Sequence, residues 1–414
     1  MKFNSDINFA KELDNQDDFS YLQDYFNYPE NNPIYFCGHS LGLQPKNVTN
    51  YIQEVVDSWK KLGVSGHIEG KSPWFDYHTL LTPSMSKIVG SKEEETVIMN
   101  SLTTNLHLLM VSFFKPTKDK FNIIIDTPTF SSDKYAVQSQ LKFHGLNPDI
   151  NLIEIETLDD GKCKDNQQIL EQIELNIENT AMILFSGVNY YTGQYYDIKS
   201  IAKLASKYNC VLGLDLAHAA GNVNLDLHEW GVDFASWCGY KYLNGGPGAP
   251  SGIFVHEKYN DKILSRFEDW WGHDKKDRFN PPNSFKPLLG AEAWQLSNPP
   301  ILSMASLRCS LDIFNKIDFL SLSQRSKKLT AYLEYLINYL DNKNIQIITP
   351  INMNSRGAQL SLKINSSINN IEQYFKDKNI ICDYRKPNVI RIAPNPFYNT
   401  FQDVFNFVEL LKKI

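Results

Sequence analysis

Two residues set the chemistry that this chain could perform. Asp215 closes the apolar run Cys210-Val211-Leu212-Gly213-Leu214, and Lys241 stands between the aromatic stretch Trp237-Cys238-Gly239-Tyr240 and the turn Tyr242-Leu243-Asn244-Gly245-Gly246-Pro247-Gly248. A carboxylate at the end of a buried strand is expensive to leave unpaired, so Asp215 requires a cationic partner. A protonated pyridine nitrogen would be one, and by holding that charge Asp215 would turn the ring into an electron sink. Lys241 carries a flexible amine that can form an imine with an aldehyde and afterwards move protons. Each feature alone has a plainer reading. Asp215 could cap an alanine-rich helix that follows it, Lys241 could be a solvated loop residue, and the glycine run could be a tight turn. That run is no phosphate-binding P-loop, because no Gly-Lys-Ser/Thr closes it.

The elements that would position these residues are legible as period and length. Asn122-Ile123-Ile124-Ile125-Asp126, Ala181–Phe185 and Cys210–Asp215 are short, apolar and rich in branched residues, which predicts buried strands. Between the last two, Ile198, Ile201, Ala202, Leu204 and Ala205 lie on one helical stripe. A helix crossing between two such strands implies a largely parallel sheet. Ligands of such sheets bind beyond the carboxyl ends of the strands, where Asp215 sits. After Pro300 the pattern changes to helices over Leu302–Phe314 and Phe319–Leu340, then short strands near 345–348, 358–362 and 389–392. This predicts a smaller α+β domain, with the asparagine-rich run 365–370 as a loop. We expect three regions: 1–55 packing with the small domain, 56–300 forming the large domain and 301–414 forming the small one.

Bulk properties exclude several functions. The 414 residues carry 41 Lys+Arg against 47 Asp+Glu, a net charge of −6 with no basic block, so nucleic acid and anionic membrane are not expected partners. Met1–Phe19 mixes charges among short apolar runs and lacks a secretory h-region, and no later stretch has the length of a spanning helix. A soluble, cytoplasmic protein is expected. The six cysteines are scattered singly, which suits reduced core residues, and no metal is expected. His228-Glu229 continues as Trp230-Gly231, which rules out a zinc-binding HExxH helix.

Taken together, the stretch Asp215-Leu216-Ala217-His218, Gly221-Asn222, Trp230–Ala235 and Trp237–Gly248 resembles the kynureninase family of fold-type-I pyridoxal-phosphate enzymes. The similarity extends through Tyr35–Pro45, Asn100–His107, Ser132–Ala136, Tyr190–Gln194, Ser297–Ile301 and Arg391–Pro394, nearly the whole chain. One departure is His39, where relatives typically carry asparagine in GNSLG; it bears on the contacts of Ser40.

The resemblance implies a fold and a set of roles. The fold is α/β, with a mainly parallel seven-stranded sheet in the large domain. The reaction would be hydrolysis of L-kynurenine or 3-hydroxy-L-kynurenine to anthranilate or 3-hydroxyanthranilate and L-alanine. This would serve tryptophan breakdown and supply of NAD precursors. Pyridoxal 5'-phosphate would be bound by Leu102 and Thr103 at a helix start, Phe130 stacking on the ring (a residue that type alone would place in the core), Ser131, Ser132, Asp133, Ser186, Asp215, His218, Tyr240 and Lys241. Trp270 and Asn298 would reach the phosphate region from the second subunit of a homodimer. Lys241 and Tyr240 would be catalytic, and Arg391, whose plainer reading is a generic surface arginine, would take the substrate carboxylate, with Ser40 beside it. His67 and Asn298 would accommodate the aryl ring and favour the 3-hydroxy substrate. A cysteine desulfurase would instead present Gln at the His218 position and Ser-x-His-Lys around the lysine, together with a mobile catalytic cysteine. A catalytically silent scaffold would not retain Phe130, Asp215, Lys241 and Arg391 together, and a nicotinamide dehydrogenase would need an early G-x-G-x-x-G.

Overall fold

In the computed structural model, which describes residues 3–280, 284–365 and 370–414, the expected strands close into a seven-stranded sheet. We number them β1 (Thr96–Ile98), β2 (Asn122–Thr127), β3 (Leu152–Glu156), β4 (Thr180–Ser186), β5 (Val211–Asp215), β6 (Phe234–Trp237) and β7 (Gly252–Val255). Their order is β1-β7-β6-β5-β4-β2-β3, and only β7 runs against its neighbours. The central strands β2, β4 and β5 are buried on both faces, as their unbroken apolar runs require. The helix Ile198–Lys207 returns the chain from β4 to β5 and buries Ile198, Ile201, Ala202 and Ala205. Parallel register pairs Asp215 with Ser186 on one side and Ser236 on the other, so the polar strand ends lie side by side.

The C-terminal region forms a four-stranded antiparallel sheet of β8 (Ile345–Ile347), β9 (Leu360–Ile364), β10 (Asp383–Arg385) and β11 (Val389–Ile392), in the order β8-β9-β11-β10. Helices Phe319–Leu340 and Phe401–Leu411 cover it. The middle of the asparagine-rich run expected as a loop, 366–369, lies outside the described residues. Chain from the start of the sequence joins this layer: Ala10, Leu13 and Phe36 share its core, and Ile34–Tyr35 pairs in parallel with Ile380–Ile381. A buried ion pair fixes the attachment. Arg325 donates from Nε and Nη2 to Asp17 at 2.7 and 2.6 Å, and both side chains are under a tenth exposed. Removing one partner of such a pair strands a charge. Asp17→Ala should therefore lower the free energy of unfolding by about 3 kcal/mol, read by urea denaturation. A change below about 1 kcal/mol would show that the Pro396 and Asn399 carbonyls, which also accept from Arg325, suffice alone. Among the described residues no helix is long and apolar enough to cross a membrane.

Candidate active site

At the carboxyl ends of β2, β4 and β5 lies a cavity of about 170 Å³, room for a small molecule. Its wall contains Leu102, Thr103, Phe130, Ser132, Asp133, Ser186, Asp215, His218, Tyr240 and Lys241, ten of the residues singled out from the sequence. The helix Leu102–Phe113 opens onto it. Ser101 precedes that helix in extended conformation without capping it through its side chain, so the first N–H groups remain available to an anion. Phe130 stands immediately before the helix Ser131–Phe143 and is 41% exposed, so a core role for it is excluded. Its ring meets Tyr190 edge-on at 5.2 Å, and the Lys241 amine lies 5.9 Å from its centre.

Lys241 Nζ is 3.2 Å from His218 Nε2. Burial and then the charge of Lys241 hold the His218 imidazole well below its usual range, so the neutral ring accepts from the ammonium and aims it. Burial pushes the Tyr240 hydroxyl upward, which makes it a proton donor rather than a base near neutrality. Asp215 is buried, with Oδ1 accepting from the Ala217 N–H at 2.8 Å. That bond closes a turn: residues 217–222 form turns and no helix, so the plainer reading of Asp215 as a helix cap fails, and no cationic side chain among the described residues forms an ion pair with it. Asp133 lies against it, its carboxyl raised well above the usual range by burial and then by Asp215. Two neighbouring buried carboxyls with no ion-pair partner among the described residues suit a cationic ring, and the charge of Lys241 acts on Asp133 less than burial, Asp215 or Asp126 does. With an amine, an aromatic face and an anion-binding helix start in the same cavity, the donor set fits pyridoxal phosphate.

The remaining expected residues lie elsewhere. Arg391 is 1% exposed, so the surface reading of this arginine fails. Its guanidinium donates to the Tyr190 carbonyl at 2.7 Å and to Asp383, which faces it across the β10–β11 ladder. Ser40 donates to the same Asp383 oxygen at 2.7 Å and lies 3.4 Å from Arg391 Nη2. Gly42 allows this segment to cross the lysine. Its N–H donates to the Tyr240 carbonyl at 2.9 Å, and a Cβ there would fall 2.5 Å from the Lys241 carbonyl oxygen. His67 and Asn298 share a separate apolar groove with Trp59, Trp74 and Trp271, and Trp270 packs edge-on against Trp271 at 5.1 Å. Ser131 begins its helix just outside the cavity wall.

Sequence reasoning missed Asp126 and Asp383. Asp126 is fully buried at the end of β2 and accepts from the Ser186 N–H at 3.0 Å, the Ser186 hydroxyl, Asn189 at 2.9 Å and Tyr196 at 3.2 Å. It therefore orients Ser186, and its strand-end position was the same signal that picked out Asp215. Asp383 becomes visible only once β10 is registered against β11. Away from the cavity, Glu95, His228 and His256 cluster as potential metal ligands. Their atoms are already engaged: His256 Nδ1 accepts the Lys258 N–H at 3.1 Å, and Glu95 accepts from His228 and the Glu257 N–H.

Comparisons with known proteins point the same way. Residues 322–411 match the family profile described as kynureninase C-terminal domain. The chain is 46% identical to a kynureninase of Myxococcus xanthus over 99% of this chain and 97% of that protein. It is 41% identical to a kynureninase of Homo sapiens over 99% and 93%. Among solved structures, a cysteine desulfurase of Escherichia coli superposes with a TM-score of 0.75 at 13% identity, covering 100% of this chain and 98% of that one. A cystine C–S lyase in complex with cysteine persulfide superposes with a TM-score of 0.75 at 15% identity, covering 93% and 98%. At such low identities these two speak for the fold alone, whereas the sequence relatives span both chains almost end to end. On that full-length identity, this chain belongs to the kynureninase family.

Proposed function

We propose that this chain hydrolyses kynurenine or 3-hydroxykynurenine to the corresponding anthranilate and alanine, using pyridoxal phosphate. The single observation that carries the reading is the convergence of Lys241, Asp215 and Phe130 on one cavity at the strand ends, within a chain of that family. Bound there, the cofactor supplies an aldehyde for an amine and a cationic ring that withdraws electrons. The chain supplies the rest. Leu102 and Thr103 N–H groups, with Ser131 and Ser132 nearby, would hold the phosphate, and Phe130 would cover the ring. Asp215, backed by Asp133, would face the ring nitrogen, while Ser186 would be steadied by Asp126. Arg391 would fix the substrate carboxylate and so orient the scissile bonds. Lys241, aimed by His218, would carry the proton at the substrate α-carbon; water added to the γ-carbonyl would leave with the aryl group as the anthranilate carboxyl, and the Tyr240 hydroxyl would donate to the β-carbon so freed.

The groove containing His67 and Asn298, with Trp270 beside it, would in a homodimer be brought to the partner's cavity and complete it. Its exposed aromatic character supports this: Trp59 is 64% exposed and Trp270 37%. His67 and Asn298 would then meet the aryl ring and favour the 3-hydroxy substrate. We place the enzyme in the cytoplasm, in tryptophan breakdown or supply of NAD precursors, with regions 1–55, 56–300 and 301–414 as its N-terminal segment, large domain and small domain. The test is release of anthranilate or 3-hydroxyanthranilate with equimolar alanine from purified protein, with kcat/KM compared for both substrates. No release from either would refute the function, and a higher kcat/KM for plain kynurenine would refute the preference.

A further inference from the structure

His39 is completely buried; the Phe36 backbone acts on its ring, but neither ring nitrogen makes a well-aligned hydrogen bond. An orphaned polar side chain in a core costs about 1–3 kcal/mol unless another state of the protein uses it. Its surroundings show which state that is. The ring lies 6.2 Å from that of His218, which touches Lys241, and Nε2 lies 3.8 Å from Asp383 Oδ2. That one oxygen also accepts from Arg391, from Ser40 at 2.7 Å and from Arg385 at 3.1 Å. Burial, then Arg391 and Lys241, hold the His39 imidazole well below its ordinary range, so the neutral ring retains one N–H to give.

Arg391 is thus occupied by an internal carboxylate in the ligand-free chain, and an incoming α-carboxylate must draw the guanidinium partly away from it. Asp383 would then lose its strongest donor inside a closed site, which opposes binding. Among the described groups around Asp383, Arg385 Nε and Arg391 Nε are also unpartnered but belong to side chains that already hold this carboxylate, so His39 is the further side chain with a donor to turn onto it. The loop carrying it can respond to such a shift, being tied to the Arg391 strand through the Cys37–Ala393 bridge and to the lysine segment through Gly42. We propose that His39 is a positioning residue of the carboxylate clamp, its Nε2–H closing onto Asp383 when substrate carboxylate engages Arg391. The inference rests on Arg391 as the carboxylate-binding residue. It makes binding of a carboxylate depend on a side chain that never touches it, because His39 closes on Asp383 in the bound state.

The experiment uses the cofactor-loaded enzyme and two inert probes read by calorimetry. One is the desamino analogue of kynurenine, which keeps the carboxylate; the other is the aryl ethyl ketone that lacks both amine and carboxylate. His39→Leu and His39→Ala should each weaken the desamino analogue about tenfold while leaving the ketone unchanged, and His39→Asn, which retains a donor, should stay within about threefold of the parent. Unchanged affinity of the ketone also reports an intact site. Equal losses for both probes, or no loss for the carboxylate in the leucine and alanine variants, would overturn the proposal. Arg391→Gln separates the premise. If that variant keeps the preference for the carboxylate probe, the clamp reading fails and the proposal with it. If it loses the preference while His39→Leu keeps it, the proposal alone is overturned.

Discussion

Lys241→Ala is expected to reduce turnover by about 10,000-fold or more and to abolish covalent retention of pyridoxal phosphate. Lys241 is the one lysine in the cavity wall, its Nζ aimed by His218 at 3.2 Å and flanked by the rings of Phe130 and Tyr240 at 5.9 and 5.8 Å. On the proposed function the same amine would anchor the cofactor and later carry a proton, so its removal would take away two functions at once. Lys241→Arg should be no better, because a guanidinium stays protonated and its planar fork is bulkier than an ammonium. Small primary amines added to the alanine variant should restore a measurable fraction of turnover, which separates loss of a proton carrier from loss of structure. Borohydride treatment of the loaded wild-type protein followed by peptide mapping should place the cofactor on residue 241. A label on another lysine, or more than about 1% of wild-type turnover in Lys241→Ala, would remove this residue from its assigned role.

The parts that were legible in the sequence share a physical cause. Buried parallel strands announce themselves as apolar runs, and their ends were visible as the places where Asp126, Ser186 and Asp215 interrupt them; the observed strands end at Thr127, Ser186 and Asp215. Helices Ile301–Phe314 and Phe319–Leu340 were equally plain from their period. What stayed hidden depends on register and on distance along the chain. Asp383 meets Arg391 because an antiparallel ladder sets them opposite, and Ser40 reaches both from more than 340 positions away. Phe130 read as core by residue type, yet it borders the cavity because the chain turns from β2 into the next helix there. Asp126 carries the same strand-end signature as Asp215, but its role as the acceptor that holds Ser186 emerges only when β2 and β4 pair.

Asp215→Asn should lower kcat about 1000-fold while leaving the fold intact, since an amide keeps the shape and the Ala217 N–H bond but cannot hold a ring nitrogen cationic. Asp215→Glu, which keeps the charge at a displaced position, should fall between the two. The neighbouring acid makes a second, opposite readout possible. Asp133 is held well above the usual carboxylate range, first by burial, then by Asp215, with Asp126 adding to it. A carboxyl raised in this way binds more protons in the folded chain than in the unfolded one. The cofactor-free protein therefore loses stability as pH climbs from about 4, the unfolded value, through the raised folded value. Asp133→Asn removes that penalty, so the cofactor-free variant should melt higher than wild type at neutral pH, and the two should converge below about pH 4. With cofactor bound the order should reverse, because the ring cation that compensates the carboxyl pair loses part of its counter-charge, and equilibrium titration should show weaker cofactor binding by Asp133→Asn. A variant that is more stable when empty and binds its cofactor less well is the signature of carboxyls arranged for a cation. An Asp215→Asn enzyme turning over within tenfold of wild type, or an Asp133→Asn protein no more stable at neutral pH than at pH 4 relative to wild type, would contradict it.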